Sequence, residues 1–130
     1  MPLSGVRVAD FSRVLAGPYC TMLLGDLGAE VLKVEHPSGD ETRSWGPPYA
    51  EGRDGLAESA YFLAVNRNKR SLVLDLKDPT DRALAHELVA RSDALIHNFK
   101  HGDDARLGLD FGSAQALNPH IVYCAVSGFG

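Results

Sequence analysis

Short runs in which nearly every residue is apolar alternate along the chain with stretches where apolar residues recur every third or fourth position. The first run, residues 6–11, has the β-branched content of a buried strand. Beyond it Gly17-Pro18 opens a helix, because proline loses nothing in a first turn whose N–H groups lack partners anyway. Cys20, Leu23, Leu24 and Leu27 then fall at helical spacing and are expected on its inward face, and Gly28 ends the helix in the left-handed conformation. Residues 30–35, EVLKVE, read as the second strand and stop at His36-Pro37. Residues 38–57 are rich in glycine, proline and charge and are expected to form a flexible flap, since loops this long are more often functional or mobile than simple connectors.

The alternation then resumes. Tyr61, Phe62 and Val65 mark a helix within residues 58–66, and SLVLDL at 71–76 is the third strand. Asp78 caps the next helix, Pro79 occupies its first turn, and Leu84, Leu88 and Val89 face inward. Residues 94–98 supply the fourth strand. Asp110 caps a short helix that must end near Asn118, because Pro119 disfavours helical geometry in the residue before it; residues 121–126 are the fifth strand. Near-continuously apolar strands separated by helices predict an α/β fold, a parallel sheet covered on both faces. With 130 residues, one core and one domain, 1–130, are expected.

Composition narrows the partners. Hydrophobic residues make up 45% and charged residues 23%, which fits a folded chain rather than a disordered one. A net charge of −4 provides no positive field to collect phosphates, so no nucleic-acid partner is expected. No apolar run approaches the roughly 20 residues that cross a bilayer, and the opening MPLSGVRVADF lacks a signal-peptide core. No membrane association and a cytoplasmic location are therefore expected. Cys20 and Cys124 give neither a disulfide framework nor metal spacing, and Cys20 is expected as a packed thiol. His97 and His101 straddle a strand end instead of sharing a helix face, so no metal site is expected. The absence of GxGxxG after the first strand weighs against a nicotinamide enzyme.

In an open parallel sheet, ligands bind outside the carboxyl ends of the strands. Arg13 follows the first strand, His36 the second, Lys77 the third, and Asn98, Phe99, Lys100 and His101 the fourth. That edge suits an anion, and the helix near Pro18 adds N-terminal amides beside Arg13. An ordinary polar loop edge accounts for the spacing equally well. The basic run Arg67, Lys69, Arg70 precedes the third strand, at the opposite edge, and reads as a solvated junction.

Four blocks in order, FSRVLAGPYCTMLLGDLGAEVLKVEHPSGD, NRNKRSLVLDLK, SDALIHNFKHGDDARLGLD and NPHIVYCAVSGFG, resemble the opening third of the class III CoA-transferases of the CaiB/BaiF type and their relatives, the α-methylacyl-CoA racemases. The resemblance implies a Rossmann-like domain that binds coenzyme A. It implies acyl-CoA and carboxylic acid substrates, an interlocked homodimer in the full-length form, and transfer through an acyl–aspartyl intermediate. The family's aspartate lies beyond the SGFG block, so catalysis by these 130 residues alone is not expected. A racemase, or a non-catalytic coenzyme A-binding module, is the alternative.

By motif position, the resemblance implies that Val14 and Leu15, next to the strand-end candidate Arg13, flank the cofactor and that Lys77 and Arg106 meet its phosphate or adenine end. It implies that Asn98 and Phe99 form a nucleotide-side platform and that Leu74 and Asp75 belong to the same strand-end block. His36 stands where many relatives carry arginine, so a titrating group replaces a permanent charge. Without the resemblance, Val14, Leu15, Leu74 and Phe99 fit a core edge, Lys77 and Arg106 a solvated surface, and Asn98 a turn cap.

Overall fold

A computed structural model describes all residues, Met1–Gly130. Five strands form one parallel sheet: β1 (Arg7–Asp10), β2 (Glu30–Glu35), β5 (Lys69–Val73), β6 (Ala94–His97) and β7 (Val122–Ala125). Their spatial order is β5-β2-β1-β6-β7, so the chain runs outward from β1 to one edge and then returns to build the other. The topological switch point, where open α/β sheets place ligands, lies between β1 and β6. Helices α1 (Ala16–Asp26) and α2 (Ala60–Asn66) touch each other on one face, and α3 (Pro79–Ala90) and α5 (Phe111–Leu117) touch on the other. A single turn, α4 (Asp103–Arg106), follows β6. The expected parallel sheet with helices on both faces is what the chain forms.

The period of two along each strand sorts side chains between the faces. Ala9, Phe11, Val34 and Leu95 join Ala85 and Val89 of α3 and Ala114 of α5 in one buried apolar cluster. Val8, Val31 and Ile96 form a smaller cluster on the α1 side. The same alternation carries Asp10, Lys33 and Glu35 to that side, and all three are buried. Helix starts follow capping chemistry: Asp78 Oδ1 accepts from the amides of Thr80 at 2.8 Å and Asp81 at 3.1 Å.

Four local expectations are corrected. Helix α1 begins at Ala16, with Pro18 third, and buries Gly17, Pro18, Thr21 and Met22. Cys20, Leu23 and Leu27, expected inside, are exposed. The reason lies beneath the helix: Thr21 Oγ1 donates to Asp10 Oδ2 at 2.5 Å, and a Cβ at Gly17 would overlap the side chain of Ser12. Burial there selects small and polar residues over leucine. In α3, Ala85 and Val89 face inward while Leu84 faces solvent, because the close approach of α5 leaves room for alanine.

The third sheet strand runs from Lys69 to Val73, two residues ahead of its expected start and three short of its expected end, so Lys69 and Arg70 belong to it while Leu74, Asp75 and Leu76 follow it. Residues 38–57 hold a 3-10 turn, Glu41–Ser44, and the first strand of an antiparallel hairpin, β3 (Tyr49–Glu51) with β4 (Ala57–Ser59). No helix is long and apolar enough to cross a membrane.

Candidate functional site

The carboxyl end of β1 leads into a tight turn, residues 12–15, where Val14 takes φ of 72°. A β-branched residue in the left-handed region costs about 1–3 kcal/mol and persists only where its surroundings over-determine it. They do so here. Asn98, from the end of β6, accepts from the Arg13 amide at 2.9 Å and donates to the Arg13 carbonyl at 2.7 Å. Lys33 of β2 donates to the Ser12 carbonyl at 2.9 Å, and Asp10 accepts from the Ser12 amide at 2.9 Å and hydroxyl at 2.5 Å. The turn is thus clamped from both neighbouring strands. Leu15, at the N-cap of α1, offers no capping side chain, which leaves the first amides of the helix open at this edge.

Beneath the turn lies a layer of buried charge. Lys33 and Asp40 are 2.9 Å apart with side chains 2% and 0% exposed, and Lys69 reaches Asp10 at 3.2 Å. Lys69 also donates to the Pro18 carbonyl and to Asn66, both at 2.9 Å. Its reading as part of a solvated junction is therefore wrong, because the carboxylate of Asp10, 59 residues away, draws it under α1. Burial lowers the Lys69 pKa, with Asp10 opposing. Burial alone would raise Asp40, but hydrogen bonds from Lys33 and Thr42 outweigh it and hold the carboxyl below its usual range. Glu35 is likewise pushed up by burial and brought below its usual range by Arg43, the Asp40 amide and Ser71. Every buried side-chain polar atom has a partner.

On the other side of the turn, a cleft of about 190 Å³ opens between the carboxyl ends of β1, β2 and β5 and the α4 turn. Seven of the ten residues singled out in the sequence line it: Arg13, His36, Leu74, Asp75, Lys77, Phe99 and Arg106. Leu74 and Phe99, with Phe11, Val34, Leu76 and Leu107, give it an apolar lining, and the Phe11 and Phe99 ring centroids are 6.0 Å apart. Arg13, Lys77 and Arg106 bring three cations to its lining, beside the carboxylates of Asp75 and Asp103. Arg106 is held by Asp103 at 2.8 Å, Asp75 accepts from the Lys77 amide at 3.0 Å, and His36 Nδ1 accepts from the Ser38 amide at 3.1 Å. Asn98 lies next door, in a larger recess that it shares with Phe99, Lys100, His101 and residues 126–130. Val14 and Leu15 sit on the turn itself and do not line the cleft. An apolar slot lined by three cations against two carboxylates keeps a net positive charge and is suited to a flat ring joined to phosphates.

The sequence reading missed Phe11, Val34, Leu76, Leu107 and Asp103 as lining residues. For Phe11 and Val34 the available signal was their shared parity with Ala9 along the strands. For Asp103 it was the three-residue spacing to Arg106 after a glycine at φ of 86°, Gly102, which starts a helical turn. Cys20, expected as a packed thiol, is exposed, and burial of part of the group raises its pKa.

The family described as CoA-transferase family III matches residues 3–130. The chain is 51% identical to the succinate–glutarate CoA-transferase of Agrobacterium fabrum, covering 99% of this chain and 33% of that protein. It is 47% identical to the human succinyl-CoA:glutarate CoA-transferase, covering 99% of this chain and 28% of that protein. Among solved structures, a CaiB/BaiF family protein from Brucella suis is similar with a TM-score of 0.96 and 47% identity, over 100% of this chain and 34% of that one. The chain thus spans about a third of the length of the relatives it matches.

Proposed function

Because the chain belongs to CoA-transferase family III, we propose that it forms the coenzyme A-binding part of an enzyme that moves coenzyme A from an acyl thioester to a second carboxylic acid. The observation that carries the reading is the convergence of Arg13, Lys77 and Arg106 around an apolar slot at the carboxyl edge of the sheet. The slot takes the adenine between Phe99 and the strand-end residues, with Leu74 beneath it. The cations in its lining meet the phosphates, and the neutral arm leads past the clamped turn at Val14 and Leu15 toward the recess beyond Asn98.

The covalent step belongs to an aspartate carboxylate outside residues 1–130, which attacks the thioester carbonyl and forms an anhydride while coenzyme A leaves as thiolate. The thiolate then attacks that anhydride to give the aspartyl thioester and free acid. The incoming carboxylate repeats the sequence in reverse. Relatives named as CoA-transferases for succinate, glutarate and mesaconate support transfer over racemisation. Paired dicarboxylates are the substrate class we assign.

Calorimetric titration with coenzyme A tests the reading. Lys77→Ala and Arg106→Ala each remove a charge-assisted contact, so affinity is expected to fall about tenfold or more in each. Unchanged affinity in both variants removes the site assignment.

A further inference from the structure

His97 is the last residue of β6, points to the α3–α5 face, and is 3% exposed. Its Nδ1 lies 3.1 Å from the backbone amide of Phe99, which can only donate, so Nδ1 carries the accepting lone pair. The proton of the neutral ring therefore sits on Nε2 and is donated to the Tyr123 hydroxyl at 2.7 Å; that hydroxyl donates in turn to the Leu109 carbonyl at 2.8 Å. The imidazole also stacks on the Phe99 ring, with centroids 4.9 Å apart and planes at 27°. One side chain thus fixes both the backbone and the ring of a residue that lines the cleft and the adjoining recess. Asn98, which clamps the Arg13 backbone, lies between the two bonded positions.

We infer that His97 is a positioning residue of the coenzyme A site: its neutral imidazole sets Phe99 and, through Asn98, the β1 turn, so that protonation of the ring loosens the ligand's wall. The inference rests on the functional reading above. A protonated ring donates from both nitrogens, and a donor at Nδ1 cannot meet the Phe99 amide. The titratable and charged groups facing the ring are few. Tyr123 of β7 touches it, Asp104 of α4 acts on it through space, and Asp110, ahead of α5, acts on Tyr123. Burial lowers the His97 pKa and Asp104 offsets part of that, so the neutral form prevails at neutral pH. Loss of binding belongs to the acid side of the ordinary histidine range.

The test compares the unsubstituted chain with His97→Asn, whose amide oxygen takes the place of Nδ1 and does not titrate. Coenzyme A affinity is measured by calorimetry from about pH 7.5 to about pH 5, across the ordinary histidine range. Near neutrality His97→Asn, which lacks the imidazole that stacks on Phe99, is expected to bind several-fold more weakly; on acidification the unsubstituted chain loses on the order of fivefold in affinity, one hydrogen bond's worth, while the affinity of His97→Asn changes less. The ligand phosphates are common to both measurements and cancel in the comparison. In the unsubstituted chain the Phe99 amide resonance is also expected to move with the His97 ring, a readout that survives if His97→Asn fails to fold. Parallel pH profiles, or a Phe99 amide that ignores the ring, overturn the inference and leave the functional reading standing. No binding by the unsubstituted chain at any pH overturns the functional reading and the inference with it.

Discussion

The two faces of the sheet solve different problems. Toward α3 and α5 lies a cluster of ten buried apolar residues, continuous from Ala9 to Ile121. Toward α1 and α2 the buried apolar cluster has four members, and the space beside it holds Asp10, Lys33, Glu35, Asp40 and Lys69. Apolar burial is favourable in almost any arrangement that fills the space, so the first face supplies stability with modest demands on geometry. Buried ion pairs gain little net free energy against their desolvation, but each tolerates only one geometry. The second face fixes position: Lys33 and Asp10 hold Ser12, and Ser12 begins the turn at the mouth of the cleft.

The strongest way to break this comparison is to remove one partner of a buried pair. Lys33→Ala leaves the Asp40 carboxylate buried beside an empty space and the Ser12 carbonyl without its donor, at an expected cost of about 3–5 kcal/mol. Leu95→Ala on the apolar face costs about 2–5 kcal/mol through lost transfer energy and a cavity. The two are separated by function rather than stability. Leu95→Val, costing on the order of 1 kcal/mol, leaves coenzyme A affinity unchanged, whereas Lys33→Ala weakens it in whatever fraction remains folded. Equal affinity losses in the two variants, measured by calorimetry alongside urea unfolding, remove the division of labour.

Acid provides the next largest perturbation. Asp40 and Glu35 have folded-state pKa values below their ordinary ones, so each contributes stability that is fully present above its unfolded value, roughly pH 4. As pH falls through the folded values, protons bind and that contribution disappears. Urea midpoints measured downward from about pH 5 are expected to decline steeply below about pH 4 in the unsubstituted chain. In Asp40→Asn the decline is shallower, from a lower starting stability. The same slope in both chains places the acid sensitivity elsewhere.

Which parts of this arrangement a sequence reveals follows from the range of the interactions. Strand runs such as EVLKVE and caps such as Asp78 are local, and each was legible from neighbouring residues. The strand-end residues were legible too, because parallel topology brings carboxyl ends to one edge, and Arg13, His36, Lys77 and Phe99 do meet in the cleft. The ionic layer was not. Lys69 looked like a member of a surface run until β5 was set beside β2 with Lys69 opposite Val31, which sends its side chain to Asp10. The buried face of α1 was hidden for a related reason: periodicity ranks Leu23 above Gly17 and Thr21, and only the Asp10 carboxylate and the Ser12 side chain reverse the ranking.

That reversal leaves the smallest prediction, and the one that tests α1 directly. Leu15, Tyr19, Leu23 and Leu27 recur every four residues along its outer side, with between 42% and 50% of each residue exposed. Four apolar side chains in line on an open helix face form a patch that binds hydrophobic dyes. Leu23→Gln and Leu27→Gln remove little burial, so each is expected to change stability by less than about 0.5 kcal/mol while lowering dye fluorescence. Met22→Gln, one residue from Leu23 but 2% exposed, is the internal control. It places a polar amide in the buried layer and is expected to cost about 1–3 kcal/mol. If Leu23→Gln destabilises the chain as much as Met22→Gln, the outer side of α1 is covered in solution, and the small and polar residues of its inner side no longer explain how the helix is oriented.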